Sequence, residues 1–491
     1  VIAPLLALTL LADPEPAPRL DLTAPTTFRV YGQLRTRAAI DLVFDSLPDA
    51  PLAENVAEAR TRGVLGAEAT YAERAKIVAE VRLRHRAVEQ RPPAGERFLL
   101  LNGARAKATL EVNPGEAYVD LYTGPVDLRL GNQILSFGAS AAGAPADVLN
   151  PLDLREGVLF ADPADLRLPV LAARARGEVK GFAWTVAYVP FFVPDRYDLV
   201  GQDEALVQPG LGVKAQGLSL LNRAQEDRAQ QPLLETDRPK DLPQEGDLGL
   251  RVTHKLGPAT VGADYVITRE KLPEVQIDPE LARFLSEGPK ANFTDPATSL
   301  SLSQRLASGE RLLRGQFPRY AVGELEGSAL LGPVQVDADL GYSASRLYVD
   351  QHSNPVFHPT ATATVTVADA RGTDLVLAVS ALALWVRDIP QGERLLLVDL
   401  PGAESSAHQT LGAGAAVLAG YRFLQGRLET EGRLFLDVRQ GSHAEGVRAT
   451  WNLSDRVHLA SGVELFFGPV LSPFGYFRRN SNGYAELRLD L

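Results

Sequence analysis

Charged side chains recur at every second position in several stretches of this 491-residue chain. Arg82, Arg84 and Arg86 form one run, Arg105 and Lys107 a second, and Arg129, Arg174 and Arg176 extend the series. Further on the sign reverses, at Glu324 and Glu326, Asp337 and Asp339, Glu429 and Glu431. A spacing of two puts such residues on one face of a β-strand, because successive side chains point to opposite sides. Basic and acidic sectors facing one another across a closed wall set a transverse field, which orders water and favours polar or charged solutes. The alternative, that neighbouring opposite charges simply pair along the wall, holds residue by residue rather than for the sectors. Bond-making chemistry finds little support. The seven histidines include no pair at metal-ligand spacing on a helix, and there is no cysteine to assist them. His352 and Ser353 are adjacent, so on a strand they would face opposite ways, and His352 and His358 read as solvated loop residues. Gly412-Ala413-Gly414 precedes no helix, so it cradles no phosphate. No catalytic residue, cofactor or metal is expected.

The elements that position these charges alternate in polarity. In Val126–Ile134, Val126, Leu128, Leu130 and Ile134 share one face, and Asp127, Arg129, Gly131 and Gln133 share the other, the pattern of a half-buried strand. Glu116–Tyr122 has the same character, with Thr123-Gly124-Pro125 as a tight turn between them. Earlier strands are predicted at Phe28–Phe44, Gly63–Val88 and Leu99–Val112; later ones at Val170–Val179, Phe182–Phe192, Asp247–Leu256 and Thr260–Arg269. The remainder are Arg319–Leu331, Val334–Val349, Ala361–Asp369, Asp374–Arg387, Thr410–Leu424, Arg427–Arg439, Gly446–Ser454, Val457–Phe467 and Gly483–Leu491. Through Gly63–Val88 the phase never slips, which predicts one long strand rather than a hairpin. The fold class is therefore all-β, a transmembrane antiparallel β-barrel of about 18 strands, with about 16 as the alternative.

Connection lengths support this. Short turns at Gly124, Lys180-Gly181, Gly257-Pro258, Gly332-Pro333, Arg371-Gly372, Gln425-Gly426 and Ser454-Asp455 fall on one end. Long loops at 46–62, 138–165, 194–246, 271–316 and 388–409 fall on the other, as short periplasmic turns and long outer loops do. Two exceptions stand out: Asn113-Pro114-Gly115 is short for an outer loop, and Gln90–Arg97 is long for an inner turn. Aromatic residues are expected on the lipid side at two levels. Tyr265, Tyr320, Tyr342, Trp385 and Phe467 lie near the loops, and Phe182, Trp184, Phe423 and Trp451 near the turns. One inner sector breaks the polar rule. Val376, Ala378, Leu382, Leu384, Gly412, Gly414, Ala416, Leu418 and Gly420 make it apolar, so Ala139–Asp165 or part of Pro194–Glu245 is expected to fold inward over it.

Val1–Ala12 is apolar but too short to span as a helix, and reads as a signal-peptide remnant. Asp13–Arg19 is Pro-rich, so 13–27 reads as an extended periplasmic tail, leaving 28–491 for the barrel. A formal charge of -11 argues against nucleic acid as a partner.

The stretch Glu116–Arg155 also carries a resemblance. It resembles porin-like barrels of the Gram-negative outer membrane in which a strand G-R-Q-x-x-x-W-G leads to a loop ending N-P-x-D. The matching residues are Gly131, Gln133, Phe137 and Gly138, then Asn150, Pro151 and Asp153, with Asn132 and Phe137 in place of the Arg and Trp. The final strand, with Leu487, Leu489 and Leu491 on its lipid face, resembles the signal read by barrel-assembly machinery. The resemblance implies an outer-membrane location and contact with its lipid, while small solutes as cargo are expected from the charged inner face. Two functions follow: a passive channel for small polar or anionic solutes, or a non-conducting barrel that binds or supports through its long loops. Neither oligomeric state nor solute is legible.

Overall fold

The structure, a computed structural model, describes residues 26–42, 54–72, 74–91, 105–140, 143–156, 160, 163–197, 234–240, 243–281, 301–302, 304–305, 308, 310, 312–350, 355–370, 374–391, 395, 409–469 and 472–491. The expected leader at 1–12, nearly all of the tail, and most of the loops at 194–246 and 271–316 lie outside them.

In chain order the strands are β1 (Thr26–Asp41), β2 (Glu54–Tyr71), β3 (Ala75–Arg91), β4 (Arg105–Tyr122), β5 (Val126–Gln133), β6 (Val170–Val179), β7 (Phe182–Val189), β8 (Leu234–Asp237), β9 (Asp247–Leu256) and β10 (Ala259–Arg269). They continue as β11 (Glu274–Ile277), β12 (Leu313–Gln316), β13 (Arg319–Leu331), β14 (Val334–Val349), β15 (Pro355–Asp369), β16 (Leu375–Arg387) and β17 (Gln409–Phe423). Last come β18 (Leu428–Asp437), β19 (Ser442–Asn452), β20 (Val457–Phe467) and β21 (Asn482–Asp490). Eighteen of these form one antiparallel sheet, each paired with its neighbours in sequence, and the sheet closes where β1 pairs with β21 from Gln33↔Asp490 to Asp41↔Asn482. Closure removes every edge, so backbone groups inside a bilayer all find partners. The short β8, β11 and β12 make a separate three-stranded sheet at the long-loop end.

The wall faces lipid with apolar side chains and its interior with polar ones. Leu325 and Leu340 are 62% and 54% exposed on the outside, while Glu324 and Asp339, beside them in sequence, are 3% exposed inside. A soluble protein buries such leucines; this inversion marks a membrane barrel. Tyr265, Tyr342, Trp385, Phe467, Phe182, Trp184, Phe423 and Trp451 share the outward phase. Tyr320 does not: it is buried inside, with Arg346 stacked on its ring at 4.4 Å. It shares parity with Glu324 and Glu326, and parity decides the face.

Residues 54–62, expected within a long loop, are the first half of β2, and two further segment assignments differ from the sequence expectation. Gly63–Val88 is a hairpin, not one strand: Tyr71 pairs with Ala75 across a three-residue turn. An odd-length turn leaves the period-two phase unchanged, so unbroken alternation could not reveal it. Asn113-Pro114-Gly115 is not a turn but lies within β4, where the register shifts at a bulge opposite Glu80. One extra residue flips the phase just as a strand end would. The two differences cancel, and they remove both exceptions in loop length. The loop after β3 joins the long end, and the β2–β3 turn joins the short one.

Candidate functional site

Strand register builds two rows of arginine on the inner wall. Arg35 lies opposite Arg62, which lies opposite Arg84; Arg37 lies opposite Arg60, which lies opposite Arg86. Facing residues on adjacent strands are ~5 Å apart, so six cations at this spacing repel unless anions intervene. Three of the anions belong to the wall. Glu58 takes Arg60 and Arg86, each at 2.5 Å; Glu464 takes Arg37 at 2.7 Å; Glu486 holds Arg448 at 2.6 Å and approaches Arg35 at 3.8 Å. Two more come from the segment between β5 and β6. Asp153 holds Arg84 at 2.8 Å, and Asp165 bridges Arg35 at 2.8 Å and Arg62 at 3.1 Å.

That segment therefore runs inside the barrel. At its start, the amides of Gly138, Ala139 and Ser140 donate to Asp264 and Asp339, all at 2.8 Å, and Ala146 donates to Glu324 at 2.5 Å. Further along, Phe160 sits edge-on to Phe435 and Phe466, both at 5.6 Å, over Gly446. A Cβ on Gly446 would come within 2.5 Å of the Phe160 ring, so any larger residue here must displace Phe160. Thus the segment touches β10, β13 and β14, crosses to β3, and reaches β18–β20 and then β1–β2.

The basic residues read from sequence all fall on inward-facing register positions, but most are paired. Arg129 makes a two-pronged contact with Asp120 at 2.6 and 2.8 Å, Arg176 meets Asp127 at 3.1 Å, and Arg82 donates to the Arg167 carbonyl at 3.2 Å. Arg174 makes no ion pair among the described residues. The side chains of Arg105 and Lys107 lie outside the described residues. The acidic residues divide. Glu324, Glu326, Asp337 and Asp339 are inward yet buried beneath the infolded segment or held by neighbours, whereas Glu429 and Glu431 remain partly open to the lumen. Alternation places Arg35 and Arg37 on the polar face of Phe28–Phe44, but Arg60 and Arg62 fall in the span that reads as loop, so the sequence does not assemble the rows.

The motif residues serve the infolded segment rather than a solute. Gly131 has φ +133°, and a Cβ there would meet the Ala117 carbonyl at 2.3 Å. Asn150 clasps the segment's two ends: its Oδ1 accepts from the Leu135 amide at 2.7 Å, and its Nδ2 donates to the Leu168 carbonyl at 2.8 Å. Phe137 and Leu149 pack with Val170, Ala187 and Val266 in a core between segment and wall. Gln133 is fully buried and donates to the Ala172 carbonyl at 2.9 Å. The apolar inner sector is not covered by these contacts. Ser140 bonds Thr366 on one side of it and Phe160 packs on the other, while Val376 and Leu382 stay 38% and 42% exposed.

Among the described residues no group of three or more metal-ligating side chains occurs. Titration in the loops is uneven. Burial would raise the Asp153 carboxyl, but Arg155 and Arg84 hold it below the ordinary value. Asp195, which accepts from the Leu152 amide at 2.7 Å, is pushed up to about 6, mainly by burial.

A protein family described as "Protein of unknown function (DUF1302)" matches residues 52–370, well over half of the chain. The chain belongs to the DUF1302 family. The matched span runs from β2 through β15, so it includes the infolded segment and its acidic anchors. No curated protein matches this DUF1302 chain. Solved structures to which it is similar include Acinetobacter baumannii OccAB3, at 10% identity over 94% of this chain and 99% of that one, TM-score 0.46. Pseudomonas aeruginosa OccK5 (OpdH) gives 10%, 94%, 97% and 0.42, and Salmonella typhi OmpF in complex with daunomycin gives 9%, 94%, 97% and 0.40. At such values they carry no weight on what crosses the DUF1302 barrel.

Proposed function

We propose that this DUF1302 protein is an outer-membrane channel for passive diffusion of small polar solutes, with anions preferred. A closed barrel with an apolar belt outside, short turns at one end and long connections at the other belongs to the bacterial outer membrane. The observation that carries the preference is the pair of arginine rows on β1–β3, six guanidiniums on one stretch of inner wall against five carboxylates, two of which come from the infolded segment rather than the wall. Screening over ~10 Å at 0.1 M salt leaves such a block effective inside a narrow lumen. Arg174 on β6, opposite Arg129 on β5, adds a further cation farther round the wall.

The second reading is a non-conducting barrel that works through its loops, and one observation favours it: the infolded segment crosses the lumen from β10 to β1. Current through single molecules in a planar bilayer separates the two. Discrete openings support the channel; silence from correctly folded, heat-modifiable protein supports the plugged barrel.

A further inference from the structure

The infolded segment is held at its two ends by opposite chemistry. Near Gly138 the segment donates and the wall accepts: backbone amides meet Asp264, Glu324 and Asp339, each 3–4% exposed and shut away from water. At Asp165 the segment accepts and the wall donates, through Arg35 and Arg62. The Asp165 side chain and that of Arg62 each keep 27% of their surface open. An anion entering the lumen can compete for the second contact and not for the first.

We propose that the Arg35–Arg62 pair is a carboxylate-binding subsite for the permeating solute, and that Asp165 is the placeholder the solute displaces. The inference rests on the channel reading and names its substrate class. A guanidinium presents a planar fork that fits a carboxylate in two-pronged fashion, which a spherical halide cannot match. Here a carboxylate already sits there. Exchanging one carboxylate for another conserves the ion pairs, so no buried charge is left unpaired. On the Arg35 side the nearest wall carboxylate, Glu486, approaches only to 3.8 Å and is committed to Arg448 at 2.6 Å. Asp153 is a poorer candidate for release, since Arg84 and Arg155 both hold it and only 12% of its side chain is open. Displacement frees Pro163–Asp165, while Leu166, whose carbonyl accepts from the Asp153 amide at 2.8 Å, and the Gly138 end stay anchored.

The chain has no cysteine, so Ala164→Cys provides one labelling site for a nitroxide beside Asp165. Acetate is the probe and chloride the control, at equal ionic strength, in detergent-folded full-length protein. Acetate is expected to mobilise the label saturably and chloride not. With Asp165→Asn the label is expected to be mobile without acetate, while Asp165→Glu keeps the acetate response. Removing the internal competitor should lower the half-saturating acetate for current block by about tenfold, the scale on which a competing state taxes affinity. Identical spectra in acetate and chloride, or an Asp165→Asn label as immobile as the parent, would overturn the proposal. The spectra do not depend on conduction, so a silent barrel that still shows acetate release overturns the channel and leaves the subsite standing.

Discussion

Asp339 and Ser140 stand 199 positions apart in sequence, yet the Ser140 amide donates to the Asp339 carboxylate at 2.8 Å, and the Ala139 amide donates to its other oxygen at the same distance. A side chain of the wall thus replaces the solvent of a loop backbone, which keeps a 3%-exposed carboxylate and two amides satisfied at once.

Asp339→Ala should release this anchor. Two amides lose their acceptor, at ~1–3 kcal/mol each, without altering the outer face of the barrel. The expected result is unchanged heat-modifiability with faster proteolysis within 134–169 and, where current flows, at least a doubling of conductance. Slow proteolysis equal to the parent would mean that the segment is held mainly elsewhere.

Gly131→Val should block assembly. Its φ of +133° suits glycine alone, and the Ala117 carbonyl leaves no room for a side chain. Strain and overlap together cost ~2–6 kcal/mol, enough to lose the folded band in unheated gels. Wild-type yields of folded barrel would show that β5 can shift to admit the side chain.

How far the sequence carried depended on what alternation records. It records inward and outward faces for Val126–Gln133 and for most of the later strands, Tyr320 excepted, because parity persists along each strand and across odd-length turns. It concealed the Tyr71–Ala75 turn for the same reason, and so separated Arg60 and Arg62 from Arg84 and Arg86. The anchors of the infolded segment left no trace, since backbone amides of Gly138, Ala139 and Ser140 look the same in any sequence. Small residues in that stretch hinted at close packing, but not at which carboxylates would receive it.

Acidity should stabilise the long-loop end by relieving the burial of the Asp195 charge. The Asp195 carboxyl is raised to about 6 in the folded protein, mainly by burial, against ~3.9 in an unfolded chain. The folded state binds this proton more tightly, so the contribution is full below about 4 and is lost as pH rises through about 6. Hydrogen exchange at the amides of Leu152 and Leu154, corrected for intrinsic rate, should be slower at pH 5 than at pH 7.5. Asp195→Asn should flatten that difference; a difference that persists would place the titrating group elsewhere.

Gly446→Leu should dislodge Phe160, whose ring occupies the space above this glycine. The barrel is expected to fold, with the crossing segment displaced from β18–β20 and a wider range of conductance states than the parent. A single parental conductance would show that Phe160 does not shape the passage.

Reversal potential in a potassium chloride gradient tests anion preference most directly. The wild-type barrel is expected to reverse on the chloride side, and Arg35→Glu plus Arg62→Glu to move the reversal toward potassium. A wild-type barrel that already reverses strongly on the potassium side would contradict the role given to the arginine rows.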